Sequence, residues 1–587
     1  RYTLRFLTSD QFLRTTALGC ALEKIRLENT TLLGDEQFSI GLFVGQKVSY
    51  NSIKAASDGM HDLKHNSSSI HKFHITECPS CGTSLIPKNI EKNRDGSIKG
   101  LGIDVLNNAV IYKCQNTKCT FNKVNIPVRL VDEEIYKSPP SFILGTIDKF
   151  AEVTWNQDAG KIFGSRTKTQ DKVVPPTLII QDEIHLISGP LGTISGIYEA
   201  GFDTLIRKNQ RELGFEDTGP KYIASSATVR DSETQLKRLL NRKSKIFPPR
   251  GLKIKNSFFA NTDPNPNNGR LYIGIMPQAF RSTSAAHAVS GAFLQSVRYI
   301  AKKENSKEAL DFLWTTLCYC NSLREHGLIS TSVNQEIFQR MKVCCIAQGD
   351  DPDELNDLRK EEISADMSNT IAETSDILKT TNNDSAIDFV PATNMISVGI
   401  DIDRLGSMII NGQPKTTSEY IQASSRVGRN PDNIGPGLII ALYSPAKPRD
   451  RSHYEQFKSY HQKLYRLVEP TSVTPGSAPA LERALHASLI LLIRHGVKTI
   501  ARINRAPDDF DDDNPEIKSL ISDFRNRLIN IYDNEMYQHE RDIIENYLND
   551  VIDKWKKWTD QNLVYRASRD KVMHALLIEF TKKIDNN

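Results

Sequence analysis

Two cysteine pairs, one pair of adjacent carboxylates and one pair of arginines carry most of the chemistry legible in this 587-residue chain. The first constellation is Cys78-Pro79-Ser80-Cys81-Gly82 with Cys114-Gln115-Asn116-Thr117-Lys118-Cys119. Each pair sits in a short turn, and the strand-like runs Ile103 to Leu106 and Val110 to Tyr112 lie between them. Four thiolates so arranged suit tetrahedral Zn²⁺ in a ribbon, where the metal adds folding energy to a segment without a large core. The second pair has four intervening residues where two are commoner, and disulfides or free thiols are the alternative. His71 and His74 read as surface residues. Cys318, Cys320, Cys344 and Cys345 read as buried apolar thiols in β-like runs.

Gln181-Asp182-Glu183-Ile184-His185 directly follows the apolar run Thr177 to Ile180. Carboxylates at the carboxyl end of a buried parallel strand stand where open α/β sheets bind ligands. Asp182 suits Mg²⁺, held through water, and Glu183 suits the polarisation of a water that attacks a γ-phosphate. Ser226-Ala227-Thr228 ends a second strand-like run, Tyr222-Ile223-Ala224. Much later, Arg426-Val427-Gly428-Arg429 places two guanidinium forks three residues apart, read here as entering a helix, where they suit a triphosphate. The same arginines alone fit a basic helix surface equally well.

These groups need a scaffold of strand ends. Over the first 240 residues, apolar runs such as Phe142-Ile143-Leu144 and Leu178-Ile179-Ile180 alternate with polar turns and longer periodic segments. That alternation argues for a parallel α/β sheet. Pro248, Pro249, Pro264 and Pro266 interrupt it in the Asn-rich stretch Phe247 to Asn268. A second alternation runs to Ser444, with strand-like segments at Phe312 to Leu317, Ser407 to Ile410 and Leu438 to Leu442. Beyond Tyr465 the period is helical, and Gly and Pro vanish after Pro515.

Hydrophobic residues make up 39% and charged residues 25%, which excludes a membrane protein, a collagen-like fibre and a wholly disordered chain. Lys plus Arg total 75 against 71 Asp plus Glu, and a net charge of +4 does not by itself mark a nucleic-acid binder. No apolar run approaches the ~18 residues of a membrane span; Ala484 to Ile493 is short and contains His486. Nine scattered cysteines fit a reducing cytosol, so a cytoplasmic location is expected.

In order and spacing the elements resemble the signature motifs of superfamily 2 helicases, whose two RecA-like domains bind ATP between them. Asp182, Glu183 and His185 are similar to motif II, Ser226 and Thr228 to motif III, and Gln422, Arg426 and Arg429 to motif VI. Ala392 to Ile402, with Thr393, Gly399 and Asp401, resembles motif V, and Trp314 to Glu325, with Cys320-Asn321-Ser322, resembles motif IV. In the first half, Thr3-Leu4-Arg5 with Gln11 resembles motif Ia, Val44-Gly45 motif Ib, and Gly145-Thr146-Ile147-Asp148-Lys149-Phe150 motif Ic. The resemblance implies that Asp182, Glu183, Gly399, Asp401, Arg426 and Arg429 line the nucleotide. It implies that His185, Gln422, Ser226 and Thr228 couple nucleotide state to domain closure. Arg5, Gly45, Thr146, Asp148, Ser322 and Thr393 are then the contacts to a nucleic-acid backbone, made without reading bases. The expectation is two RecA-like domains, 1–246 and 269–465, joined by a linker at 247–268. A zinc-ribbon-like insertion falls at about 70–130 and a helical region at 466–587. A P-loop, Gly-x-x-x-x-Gly-Lys-Ser/Thr, is missing: Gly160-Lys161 has Trp155 at the first Gly position and Ile162 at the Ser/Thr position. Since the resemblance starts at motif Ia, motif I is expected before Arg1, and the chain alone is expected to hydrolyse ATP poorly.

A closer resemblance rests on Gln181 to Gly192 (QDEIHLISGPLG), Thr146 to Ala151 (TIDKFA) and Asn394 to Arg429 (with MISVGIDI and RLGSMIINGQPKTTSEYIQASSRVGR). These strings, with the cysteine knuckle between motifs Ib and Ic, look like the DrmA helicases of bacterial DISARM anti-phage defence. The resemblance implies an ATP- and Mg²⁺-dependent DNA translocase that also holds Zn²⁺ and works with a DrmB-type subunit on phage DNA. Ser424-Ser425 departs from the glycine many helicases carry before the first arginine. An RNA helicase of the same superfamily, or a non-catalytic nucleic-acid-binding scaffold, are the alternative readings.

Overall fold

The computed structural model describes residues 5–576 apart from 47, 67–70, 88–90, 166–172, 227–231, 250–251, 253–257, 260–268, 279–280, 306, 364–376, 382–384, 394–401, 431–433, 470–471, 498–505, 560–562 and 566–575, and without the side chains of 5–10 and 506. The chain folds as two compact units, one of Arg1–Lys245 with Thr471–Asn587, the other of Ile246–Pro470.

In the first unit the strands are β1 (Ile40–Phe43), β2 (Ile103–Leu106), β3 (Ala109–Tyr112), β4 (Val128–Arg129), β5 (Phe142–Gly145), β6 (Leu178–Gln181) and β7 (Lys221–Ala224). β4, β1 and β5 form a parallel sheet in that order, and β6 pairs in parallel with β7. β2 and β3 are an antiparallel hairpin turned by Asn107 and Asn108, at φ 51° and 59°. Asparagine tolerates the left-handed region that a two-residue hairpin turn demands.

Much of this unit's core comes from the end of the chain. Helix Ala478–Gly496 packs along helix Gly189–Glu212. Their backbones meet closely at Gly201, where a Cβ would stand 2.5 Å from Ser488 Oγ, and Ser488 Oγ donates to Ile197 O at 2.9 Å. Arg494 and His495 reach Thr154 O and Val153 O at 2.9 and 3.0 Å. Phe510 stacks on Trp555 at 4.3 Å, and both belong to the same apolar core as Phe43, Phe150 and Ile179. The helical region thus completes the first unit's core from Thr471 onward.

At the polar heart of that packing, Asp203 is fully buried and bonded to Arg242 at 2.6 Å, Arg527 at 3.1 Å and Arg207 at 3.3 Å. A buried carboxylate is tolerable only when its oxygens are used, and here three segments use them.

The second unit holds β8 (Arg270–Ile275), β9 (Thr316–Cys320), β10 (Phe389–Ala392), β11 (Ser407–Asn411) and β12 (Gly437–Leu442). All are parallel, in the order β10-β9-β11-β12-β8. β9, β10 and β11 are buried along their whole length, as a sheet covered on both faces requires. The expected strand at Phe312 to Leu317 is instead a helical turn, Asp311–Trp314, followed by β9. Cys318 and Cys320 are buried in β9 as read. Cys344 and Cys345 belong to helix Phe338–Ala347, where a β-like run of apolar residues has been taken up by helical packing.

Two outcomes follow from the buried polar groups. Asp203→Asn leaves Arg527 buried without its charge partner, and urea denaturation should show a loss of about 3–5 kcal/mol. Burial also pushes the His486 imidazole down to about 4, and lowers His74 and His461. The unfolded chain protonates its histidines near ~6.5. Through these histidines it binds more protons than the folded chain between about pH 6.5 and 4, so their contribution to stability falls as pH falls through that window. Removing one of them should show in the urea midpoint: between pH 7.5 and pH 5 its loss on acidification should be smaller in His486→Gln than in the unaltered protein.

Candidate functional site

Parallel pairing sets Leu178 opposite Lys221 and Gln181 opposite Ala224, so β6 and β7 finish side by side at their carboxyl ends. Asp182 is the first residue past β6. Its Oδ1 accepts hydrogen bonds from the Ser225 hydroxyl and from Glu183 N–H, the latter at 3.0 Å. Glu183 takes φ 48° and ψ 49°, a left-handed conformation that costs a non-glycine residue about 1 kcal/mol and marks a functional turn more often than a structural one. That turn brings Glu183 Oε2 to 3.3 Å from His185 Nδ1, which also lies 3.0 Å from Ser226 Oγ. Asp182 and Glu183 are half-buried and His185 is buried. The two strand ends are thereby tied together through side chains. Thr228 lies outside the described residues.

Two contributors were missed from sequence. Ser225, beside the predicted Ser226, is the residue that contacts Asp182. Gln235, buried on helix Ser232–Leu240, donates Nε2 to Ile184 O and Ile187 O, both at 2.9 Å, and so fixes the turn that carries His185. Ser225 sits within the Ser-Ser-Ala-Thr string; Gln235 has no local signal at all.

In the second unit, helix Thr417–Ser424 is capped by Thr416, and Gln422 is buried on it. Arg426 and Arg429 do not enter a helix: they follow its last turn, Arg426 half-buried and Arg429 exposed. The loop turns at Gly428, at φ 60°, where a Cβ would meet Gly437 N at 2.4 Å. Arg270 Nε and Nη2 donate to Val427 O and Ser425 O at 2.8 and 3.2 Å, and Tyr272 Oη donates to Ser424 Oγ at 3.2 Å. β8 therefore holds the arginine loop, a role for Arg270 that sequence did not suggest. Gly399 and Asp401 lie outside the described residues.

Thr146 and Thr393 occupy the same place in the two units, one residue past the carboxyl ends of β5 and β10. Both are buried, and neither hydroxyl has a hydrogen-bond partner among the described residues. Gly45 is buried, Asp148 is exposed in the first turn of helix Ile147–Ala151, and Ser322 caps helix Leu323–Ser332 by accepting from Glu325 N at 3.2 Å. Arg5 begins helix Arg5–Glu28, and its side chain is outside the described residues.

The four predicted cysteines come together. Their sulfurs lie within 4.8 Å of one another, with Cys78–Cys119 at 3.9 Å and Cys81–Cys114 at 3.4 Å. Tetrahedral zinc–thiolate bonds of ~2.3 Å place sulfurs about 3.8 Å apart, so the donor set fits the metal. Gly82 N–H donates to Cys78 O and Asn116 N–H lies 3.4 Å from Cys114 Sγ, the backbone support such knuckles need. Burial pushes the Cys81 thiol up, but hydrogen bonds from Thr83 and its sulfur neighbours bring it down to about 6; burial keeps Cys114 raised. His74 is not a free surface residue, since Nε2 lies 3.0 Å from Val48 O.

Residues 337–431 match the helicase conserved C-terminal domain. Its parallel sheets make the chain an α/β protein, and the matched segment lies within the second unit. The chain is 34% identical, over 99% of its length, to the DISARM protein DrmA of Bacillus paralicheniformis. The match covers 54% of that relative, so the chain spans about half its length. Looser likenesses run to the DNA-bound DUF1998 helicase MrfA (13% identity, 80% of this chain and 47% of that one, TM-score 0.43). They extend to Mycobacterium smegmatis Lhr bound to ssDNA and AMP-PNP (14%, 68% and 40%, TM-score 0.40). Among the described residues no helix is long and apolar enough to cross a membrane.

Purified protein should carry one zinc per chain by elemental analysis. Cys114→Ser should lower that content several-fold, and Cys345→Ser should leave it unchanged.

Proposed function

We propose that this chain is the motor portion of an ATP-driven DNA translocase in a DISARM-type anti-phage system. One observation carries the reading: Asp182, Glu183, His185 and Ser226 form a bonded series across the adjoining carboxyl ends of two parallel strands. This is where α/β sheets place ligand chemistry. Asp182, with one oxygen engaged by Ser225 and Glu183 N–H, is the residue to hold Mg²⁺, which when bound neutralises phosphate charge. Glu183 orients the attacking water and accepts its proton; ATP and water become ADP and phosphate. His185 Nδ1 lies within reach of both Glu183 Oε2 and Ser226 Oγ, so a change at the carboxylate is felt at the end of β7. Arg426 and Arg429 supply positive charge to the transferring phosphoryl, Gln422 couples the loop to the helix before it, and Gly399 and Asp401 complete the nucleotide contacts.

Among the described residues the hydroxyls of Thr146 and Thr393 have no partner, and a phosphate oxygen is an acceptor that would satisfy both. Arg5, Gly45, Asp148 and Ser322 extend those two grips along the strand, and Thr228 joins Ser226 in the coupling. Zn²⁺ in the Cys78, Cys81, Cys114 and Cys119 cluster is structural. Kinship with DrmA favours DNA over RNA, a DrmB-type subunit as partner, and a cytoplasmic setting.

The full-length gene product should hydrolyse ATP in a DNA-stimulated manner. Glu183→Gln should lower kcat at least about 100-fold with little change in KM. Undiminished hydrolysis in that variant would contradict the assignment.

A further inference from the structure

A second polar site lies in the first unit, lined by none of the residues that gather at the carboxyl ends of β6 and β7. A cavity of about 370 Å³ opens beside helix Ile147–Ala151 and its continuation Glu152–Trp155, lined by Asn51, Asp132, Tyr136, Lys149, Glu152 and Trp155. Lys149 is almost wholly buried. Its ammonium is 2.8 Å from Asp132 Oδ2 and 2.6 Å from Glu152 Oε2, and sits over the Phe43 ring at 5.2 Å. Those three neighbours use its donors. Glu133 also lines the cavity, so three carboxylates share one ammonium and the walls keep a negative excess.

The unmet hydrogen-bonding capacity is all of one kind. Asp132 is 3% exposed, and its Oδ1 is buried with no hydrogen-bond partner among the described residues; Asn51 Oδ1 is in the same condition. Buried acceptors left unsatisfied cost free energy that an incoming N–H donor recovers. At the cavity wall Trp155 keeps 42% of its surface exposed, a broad apolar face in an otherwise polar lining. A phosphate or nucleotide is excluded by charge. A ligand that brings several N–H donors, positive charge and a flat face suits every wall at once.

We propose that this cavity binds a guanidinium cation, hydrogen-bonded to Asp132 and Glu152 and stacked on Trp155. Two sources share that chemistry, a small free guanidine and an arginine side chain presented by a protein segment. The ammonium of a lysine fits less well, because it is a point charge without a face to stack.

Calorimetric titration of the full-length protein tests this with agmatine, with cadaverine, and with a short single-arginine peptide. Agmatine should bind saturably, one per chain, and at least about tenfold more tightly than cadaverine. Glu152→Gln and Trp155→Ala should each weaken agmatine about tenfold, with an unchanged thermal midpoint as the check on folding. A peptide that binds more than about tenfold tighter than agmatine identifies a protein segment as the source; equal affinities identify a small molecule. Absence of saturable binding by either probe, cadaverine binding as tightly as agmatine, or affinities unaltered in both variants overturns the proposal.

Discussion

The parallel pairing of β6 with β7 is the constraint on which the candidate site depends. Antiparallel strands would send Asp182 and Ser225 to opposite edges of the sheet; parallel strands in this register finish together. The Ser225 hydroxyl then reaches Asp182, and His185 reaches Ser226, without either strand distorting. What distortion exists is confined to Glu183, whose left-handed backbone turns its carboxylate back toward the imidazole. The surrounding structure holds that conformation through Ile184 N–H on Ser225 O and through Gln235 on the carbonyls beyond it.

The second unit reaches a comparable result by different means. Its arginines leave a helix instead of entering one, and a loop needs anchors. Arg270 and Tyr272 on β8 supply them, together with the near contact of Gly428 and Gly437. Arg426 and Arg429 are therefore presented by a loop whose backbone is fixed at both ends.

Much of this was legible in sequence, and the pattern of success has a physical basis. The strands at Ser407 and Leu438 were readable because a parallel strand buried between layers is mostly apolar at successive positions, and those at Phe142 and Leu178 carry a similar apolar run although β5 and β6 are only partly buried. The cysteine cluster was readable because metal-binding turns need thiols at short spacing. The same logic failed at Cys344 and Cys345, since a short apolar run does not distinguish a strand from a buried helix. Gln235, Arg270 and Ser225 stayed invisible because they act across the fold, and hydrogen bonds between distant segments leave no local period. The place of the C-terminal helices was likewise unreadable: their amphipathic pattern says that one face is buried, not against what.

That placement bears on how the polypeptide is made. The first unit owns both the opening stretch and the final hundred-odd residues, with the second unit lying wholly between them in chain order. During synthesis, residues 246–470 leave the ribosome complete while the partner for helix Gly189–Glu212 has yet to be translated. Of these two units the one begun earlier is thus the later to close, and until Arg527 arrives the nascent chain carries Asp203 without one of its three cationic neighbours.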